Sequence, residues 1–200
     1  MLYSEQLYSV FEQSIQVYHI ADDVSQPLNN PFALDTLENL LFRKNWIDTI
    51  QWHLEDIIRN PSIDPAYALL LKRKIDKSNQ DRTDLVEIID YILMQEVKDV
   101  TLLQGATINT ETPAWAIDRL SILALKIYHM AIETKRTDVD DTHRNLCQQK
   151  LEILWEQKID LFSSIDQLIS DLKEGKKKMK LYKQMKMYND PLLNPVLYKK

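Results

Sequence analysis

Two glycines in 200 residues constrain this chain more than any other feature. Average usage is about 7%. Phosphate-cradling loops, dinucleotide-binding turns and multi-turn β-sandwiches need glycine wherever the backbone takes positive φ or a ligand touches the main chain. With those architectures set aside, apolar residues recurring at spacings of three and four predict an all-α protein. The expected form is an up-and-down bundle of about five long helices with a basic C-terminal arm. The expected division is a bundle domain over 1–175 and, over 176–200, a basic helix and extended tail packed on the bundle or a partner.

Helix signals divide the chain. The first helix is expected from Ser4 to Ile20, with Leu7, Phe11, Ile15 and Tyr18 on one face. Asp35 reads as the cap of the second, with Glu38 as its capping-box partner, and the helix stops near Arg59, before Pro61. Asp64-Pro65 and Thr112-Pro113 each pair a cap residue with proline at the first helical position. They open a third helix reaching about Val97 and a fourth reaching about Arg136. Asp138 is expected to cap a fifth, ending near Gly175.

The third helix contains an anomaly. From Asp76 to Asp84 it runs nine residues without an apolar side chain. Its inward stripe enters at Leu71 and Ile75 and leaves at Val86, Ile89 and Leu93. A continuous helix carries that stripe through Ser78 or Asn79 and then Arg82. Arg82 then faces the core, where a charge needs a partner. Three readings stay open: a solvated face of i,i+4 ion pairs, a helix break at Ser78 or Asn79, or a polar pocket inside the bundle.

Other polar groups could complete such a pocket. On the second helix, Trp46, Ile50, Leu54 and Ile57 share the buried face. Asp48, Trp52, Glu55 and Arg59 share the opposite face, where water is expected and a tryptophan is not. His53 reads as a boundary histidine. The fourth helix is apolar around most of its circumference and should be central. Its polar exceptions, Asp118, Arg119, Lys126, His129 and Glu133, fall on one arc, with Trp115 one turn before Arg119. The candidate ligand-binding set is therefore Trp52, Glu55, Asp76, Asn79, Asp81, Arg82, Trp115, Asp118, Arg119 and His129. Arginine and lysine in that set suit a carboxylate or phosphate.

Metal and catalytic motifs are missing. No Glu-x-x-His, His-Glu-x-x-His or Gly-x-Ser-x-Gly occurs, and neither a metal nor a cofactor is expected. The single cysteine, Cys147, allows no internal disulfide. The N-terminus carries Glu5 and Glu12 and no basic leader, so a cytoplasmic setting is expected. No run approaches the roughly 18 apolar residues of a membrane span. Net charge is −5, yet nine lysines stand against Glu174 and Asp190 from Lys173 onward, so the body is strongly acidic. Leu181, Met185 and Tyr188 could form a narrow stripe among the tail lysines. Docking of that tail on the acidic body is favoured, and nucleic acid is not expected as a partner.

Four segments carry a resemblance. They are Asn45-Trp-Ile-Asp-Thr-Ile-Gln-Trp-His-Leu-Glu-Asp-Ile-Ile-Arg59, Lys74-Ile-Asp-Lys-Ser-Asn-Gln-Asp-Arg-Thr-Asp84, Pro113-Ala-Trp-Ala-Ile-Asp-Arg-Leu-Ser121 and Met187-Tyr-Asn-Asp-Pro191. With them the chain resembles an uncharacterised all-helical family of Bacteroidetes-type bacteria, domain of unknown function 4254. The resemblance implies one helical domain in a bacterium and a link to envelope glycan assembly. It implies no activity and no catalytic residue. Two expectations for function follow. One is a cytoplasmic interaction or accessory protein, pairing with a protein partner or with itself through the basic tail. The other is a small bundle enzyme or binding protein for an anionic metabolite.

Overall fold

Each long helix begins where a side chain or proline satisfies its first turn. The structure, a computed structural model, describes residues 2–185, 187 and 190–199. Helix α1 spans Ser4–Tyr18, α2 Leu37–Ile58 and α3 Pro65–Val97. A two-residue strand β1, Thr107–Ile108, precedes α4, Pro113–Glu133, and α5, Asp141–Lys173. Strand β2, Lys177–Lys178, pairs in parallel with β1, and a short α6 covers Pro195–Tyr198. Among the described residues no helix is long and apolar enough to cross a membrane.

The caps confirm most of the boundaries and shift some. Asp64 accepts the Tyr67 N–H at 2.9 Å, as its Asp-Pro signal predicts. Thr36, not Asp35, caps α2, its hydroxyl oxygen accepting the Asn39 N–H at 3.2 Å. Asp140, not Asp138, caps α5 through the His143 N–H at 2.8 Å. For α4 the cap comes from another helix. Asp90 of α3 accepts the Ala114 N–H at 3.0 Å and the Thr112 hydroxyl at 2.5 Å, and burial pushes its carboxyl above the usual range. Helices α1 and α4 end slightly earlier than expected, at Tyr18 and Glu133.

Helix α4 packs against α1, α2, α3 and α5 and is the centre of the bundle, as its apolar circumference predicts. The α1 stripe of Leu7, Phe11, Ile15 and Tyr18 is fully buried. It joins Leu41, Phe42 and Trp46 of α2, Val86, Ile89 and Leu93 of α3, and Ile117, Leu120 and Leu125 of α4 in one core. Each such side chain contributes on the order of 1.5–3 kcal/mol. Helix α3 is unbroken through residues 76–84, so the helix-break reading is excluded. The face of α2 carrying Asp48 is dry at Asp48 and opens to solvent only toward Arg59. Asp48 is buried, because α2 touches α1, α3 and α4 and has little circumference left for solvent.

The arm departs from expectation. Residues 179–185 form no helix. The arm turns at Gly175, whose φ is 71°, and lies against the loop joining α3 to α4. The Leu103 N–H donates to the Gly175 carbonyl at 2.9 Å, and the Thr107 N–H to that of Lys176 at 3.1 Å. Farther on, the Gln184 N–H donates to Glu87 Oε1 of α3 at 3.0 Å. Leu181 and Met185 are exposed, and Tyr188, the third residue of the expected stripe, lies outside the described residues.

A Cβ on residue 175 would sit 2.3 Å from the Thr101 carbonyl oxygen, at a φ that L side chains avoid. Gly175→Ala should therefore cost on the order of 1–3 kcal/mol and release the arm. Limited proteolysis should cut the variant between residues 176 and 185 faster than the parent, while circular dichroism keeps its helical content.

Candidate functional site

The polar stretch of α3 has a partner inside the bundle. Arg82 reaches the Asp118 carboxylate of α4 with two nitrogens, Nε to Oδ1 at 3.0 Å and Nη2 to Oδ2. Lys44 of α2, almost completely buried, lies 2.7 Å from Asp118 Oδ1 and 2.5 Å from Asp48 Oδ2. Arg82 Nε is also 3.2 Å from Asp48 Oδ1, but its N–H points at Asp118, so that oxygen receives charge without a hydrogen bond. The Ser121 hydroxyl donates to Asp48 Oδ2 at 2.6 Å and accepts from Asn45 Nδ2 at 2.9 Å. Two cations and two carboxylates thus share one desolvated volume. Burial raises the Asp48 carboxyl above the usual range, Lys44 opposes that rise, and the like charge of Asp118 adds to it.

Arg82 is the one network member that reaches the surface, with 20% of its side chain exposed. It divides two open chambers of about 480 and 540 Å³. The first is lined by Gln51, Trp52, Glu55 and Arg59, the second by Arg119, Lys126, Asp160 and Ser164. A third, of about 550 Å³, adjoins both through Trp52 and Lys126. Its floor is Met130, Ile153 and Leu154, and the Trp52 indole forms one wall, stacked on the His129 imidazole at 4.7 Å with 5° between planes. The three chambers make one groove bounded by α2, α3, α4 and α5. Lys126 and Lys150 line the third chamber and are exposed. Neither has an ion pair among the described residues.

The expected set is therefore divided. Arg82 and Asp118 meet, and Asn79 Oδ1 accepts a long hydrogen bond of 3.4 Å from Arg82 Nη1. Trp52, Glu55 and His129 line the adjoining groove. Arg119 stands at its rim, paired with Glu111 at 2.5 Å. Asp76 and Asp81 do not join them, being paired in the open with Lys72 and Lys77. Trp115 packs on the core away from the groove. Sequence reasoning missed Lys44, which lies amid the apolar Leu41, Phe42 and Trp46. The available signal was Asp48, one turn later on the same stripe.

A second polar cluster also went unforeseen. His19, just past α1, stands against His53 of α2, with 3.3 Å between their Nε2 atoms, and against His129 of α4. Burial lowers His129 to about 4, helped by the neighbouring His19 and His53. Burial likewise lowers His53, with Asp22 opposing. Neutral imidazoles of this kind can ligate a metal, although no local spacing announced them.

Compared with protein-family models, the chain matches the one described as Protein of unknown function (DUF4254) over residues 38–181. That stretch exceeds half of the chain, so the chain belongs to this family. No curated protein and no solved structure matches it.

Asp118→Asn should leave Lys44 and Arg82 with one carboxylate between them and cost about 3–5 kcal/mol in urea unfolding. Arg119→Ala, which breaks an exposed pair, should change stability by no more than about 0.5 kcal/mol.

Proposed function

We propose that this member of the DUF4254 family binds an amphipathic anionic small molecule in the groove between α2, α4 and α5. The observation that carries the reading is Lys126 and Lys150, two cations without ion-pair partners among the described residues, over an apolar floor beside the Trp52–His129 stack. The arrangement offers an apolar body a flat ring and Met130, Ile153 and Leu154 to lie on, and offers its carboxylate or phosphate two ammonium groups. Asp56 lines the same chamber and suits a hydroxyl or amine on the ligand. Arg82 contributes less free charge than its sequence position suggested, because Asp118 and Asp48 neutralise it. Its part in this reading is to hold the groove's polar end and present Nη1 to a passing anion. A cytoplasmic setting belongs to the same proposal and is supported by a free, buried Cys147.

A second reading, association with a protein partner or another copy, is favoured by Trp155 and Ile159. They lie one turn apart on α5 and are 45% and 70% exposed. Leu192 and Val196 of the C-terminal segment are more exposed still.

Thermal-shift measurements with aromatic carboxylates, acyl phosphates and nucleoside phosphates separate the readings. A ligand at one hundred times its Kd should stabilise the protein by about 2.7 kcal/mol. Lys126→Glu and Lys150→Glu should each weaken that ligand by roughly 10–100-fold, the range of a lost charge-assisted contact, with helical content unchanged. A full panel without a shift, or shifts that survive both reversals, would remove the groove reading. A concentration-dependent mass abolished by Ile159→Lys would then support association.

A further inference from the structure

Three imidazoles that share no sequence motif converge where the end of α1 meets α2 and α4. The ring centroids of His19, His53 and His129 form a nearly equilateral triangle with edges of 5.3, 5.4 and 5.5 Å. Their planes are inclined to one another by 65°, 70° and 75°. One nitrogen of each ring lies within 4.8 Å of those of the other two. The closest pair, His19 Nε2 and His53 Nε2, is 3.3 Å apart. A tetrahedral zinc ion with Zn–N bonds of about 2.0–2.1 Å sets its donor atoms about 3.3 Å apart and the attached imidazole centroids about 5 Å apart. The centroid triangle and the His19–His53 nitrogen pair have those dimensions.

Features outside the triangle agree. His19 Nδ1 is 2.7 Å from the Ile15 carbonyl oxygen. A protonated nitrogen belongs there, which in the neutral ring leaves the lone pair on Nε2, facing His53. A backbone carbonyl on the far nitrogen is how proteins orient a metal-ligating histidine. His129 Nε2 is buried with no hydrogen-bond partner among the described residues. Asp22 Oδ1 stands 3.6 Å from His53 Nε2 and 3.9 Å from His19 Nε2, on a residue whose φ of 51° is unusual without glycine. The Asp22 side chain is 57% exposed, which gives an ion a way in. Tyr18 stacks on His53 and Tyr128 tilts over His19, so aromatic walls fix two of the rings.

We propose that His19, His53 and His129 bind one divalent transition-metal ion of the zinc class, with the exposed Asp22 carboxylate beside them to complete the set. Three imidazole nitrogens leave a fourth position, which the exposed Asp22 carboxylate reaches by turning toward the ion. The ion would tie the end of α1 to α2 and α4. The inference stands apart from the groove ligand, although His129 also backs Trp52. The grouping of Glu133, His143 and Cys147 is a poorer site, because Arg136 already holds Glu133 Oε2 at 3.0 Å.

The test uses the full, untagged chain, stripped with a chelator and titrated with Zn²⁺ and Co²⁺ alone. Calorimetry should give one equivalent of Zn²⁺ and a raised unfolding temperature. The Co²⁺ form should show the intense visible bands of four-coordinate cobalt and no thiolate charge-transfer band. His53→Gln and His129→Gln should each weaken binding by at least about tenfold, and His143→Gln should leave it unchanged. Should the histidine variants fail to fold, Asp22→Asn on the exposed side carries the test, with weaker binding expected. Failure of the folded parent to bind either ion, a thiolate band, or affinity lost in His143→Gln and kept in His53→Gln would overturn the proposal.

Discussion

Four ionisable side chains, Lys44, Asp48, Arg82 and Asp118, have to stay paired inside the bundle, and the placement of three helices follows from that requirement. Taking each charge out of water costs several kcal/mol, and only close, hydrogen-bonded opposite charges offset it. The two cations come from α2 and α3, the two carboxylates from α2 and α4. Lys44 and Asp48 of α2 pair with each other, but Arg82 of α3 and Asp118 of α4 find their partners only on other helices. Helix α3 must therefore run unbroken through its polar stretch to deliver Arg82, even though that stretch has nothing apolar to bury. The network contributes little net stability against a hydrophobic replacement. What it contributes is specificity, because any packing that separates these four residues strands a charge.

The sequence made the helices legible for a simple reason. Apolar stripes at helical period, aspartates followed by proline and a near-absence of glycine all act locally. Arg82 was legible too, since a gap in an otherwise regular stripe leaves one residue pointing inward. Lys44 and the true position of Asp48 were not. Periodicity assumes one buried face per helix, and α2 is covered by α1, α3 and α4. The histidine triangle lay further out of reach, because its members stand 34 and 76 residues apart along the chain and meet only through packing. The arm failed as a helix for a tertiary reason. Its first residues satisfy their backbone groups by pairing with the loop that carries β1, which offers more than a lysine-crowded helix could.

The family match begins at residue 38, after α1 and the loop that follows it. The buried ion network lies inside the matched stretch, as do the groove residues. His19 and Asp22 lie before it. The groove and the histidine cluster therefore draw differently on the chain, although His129 and Trp52 stand between them and stack face to face. An ion or a ligand that fixed either ring would fix one wall of the other site.

Helix α3 grips α4 at two separate levels, through Arg82 on Asp118 and through Asp90 on the first turn at Ala114. The two grips lie about 12 Å apart along α3, at 1.5 Å per residue. Together they act as a key against axial slippage. A one-turn ratchet of about 5.4 Å, the step by which packed helices change register, would strand a guanidinium and uncap a helix in the same movement. The register of α3 on α4 is therefore locked at both levels, and the groove wall that carries Arg82 keeps its height against the wall that carries Asp118.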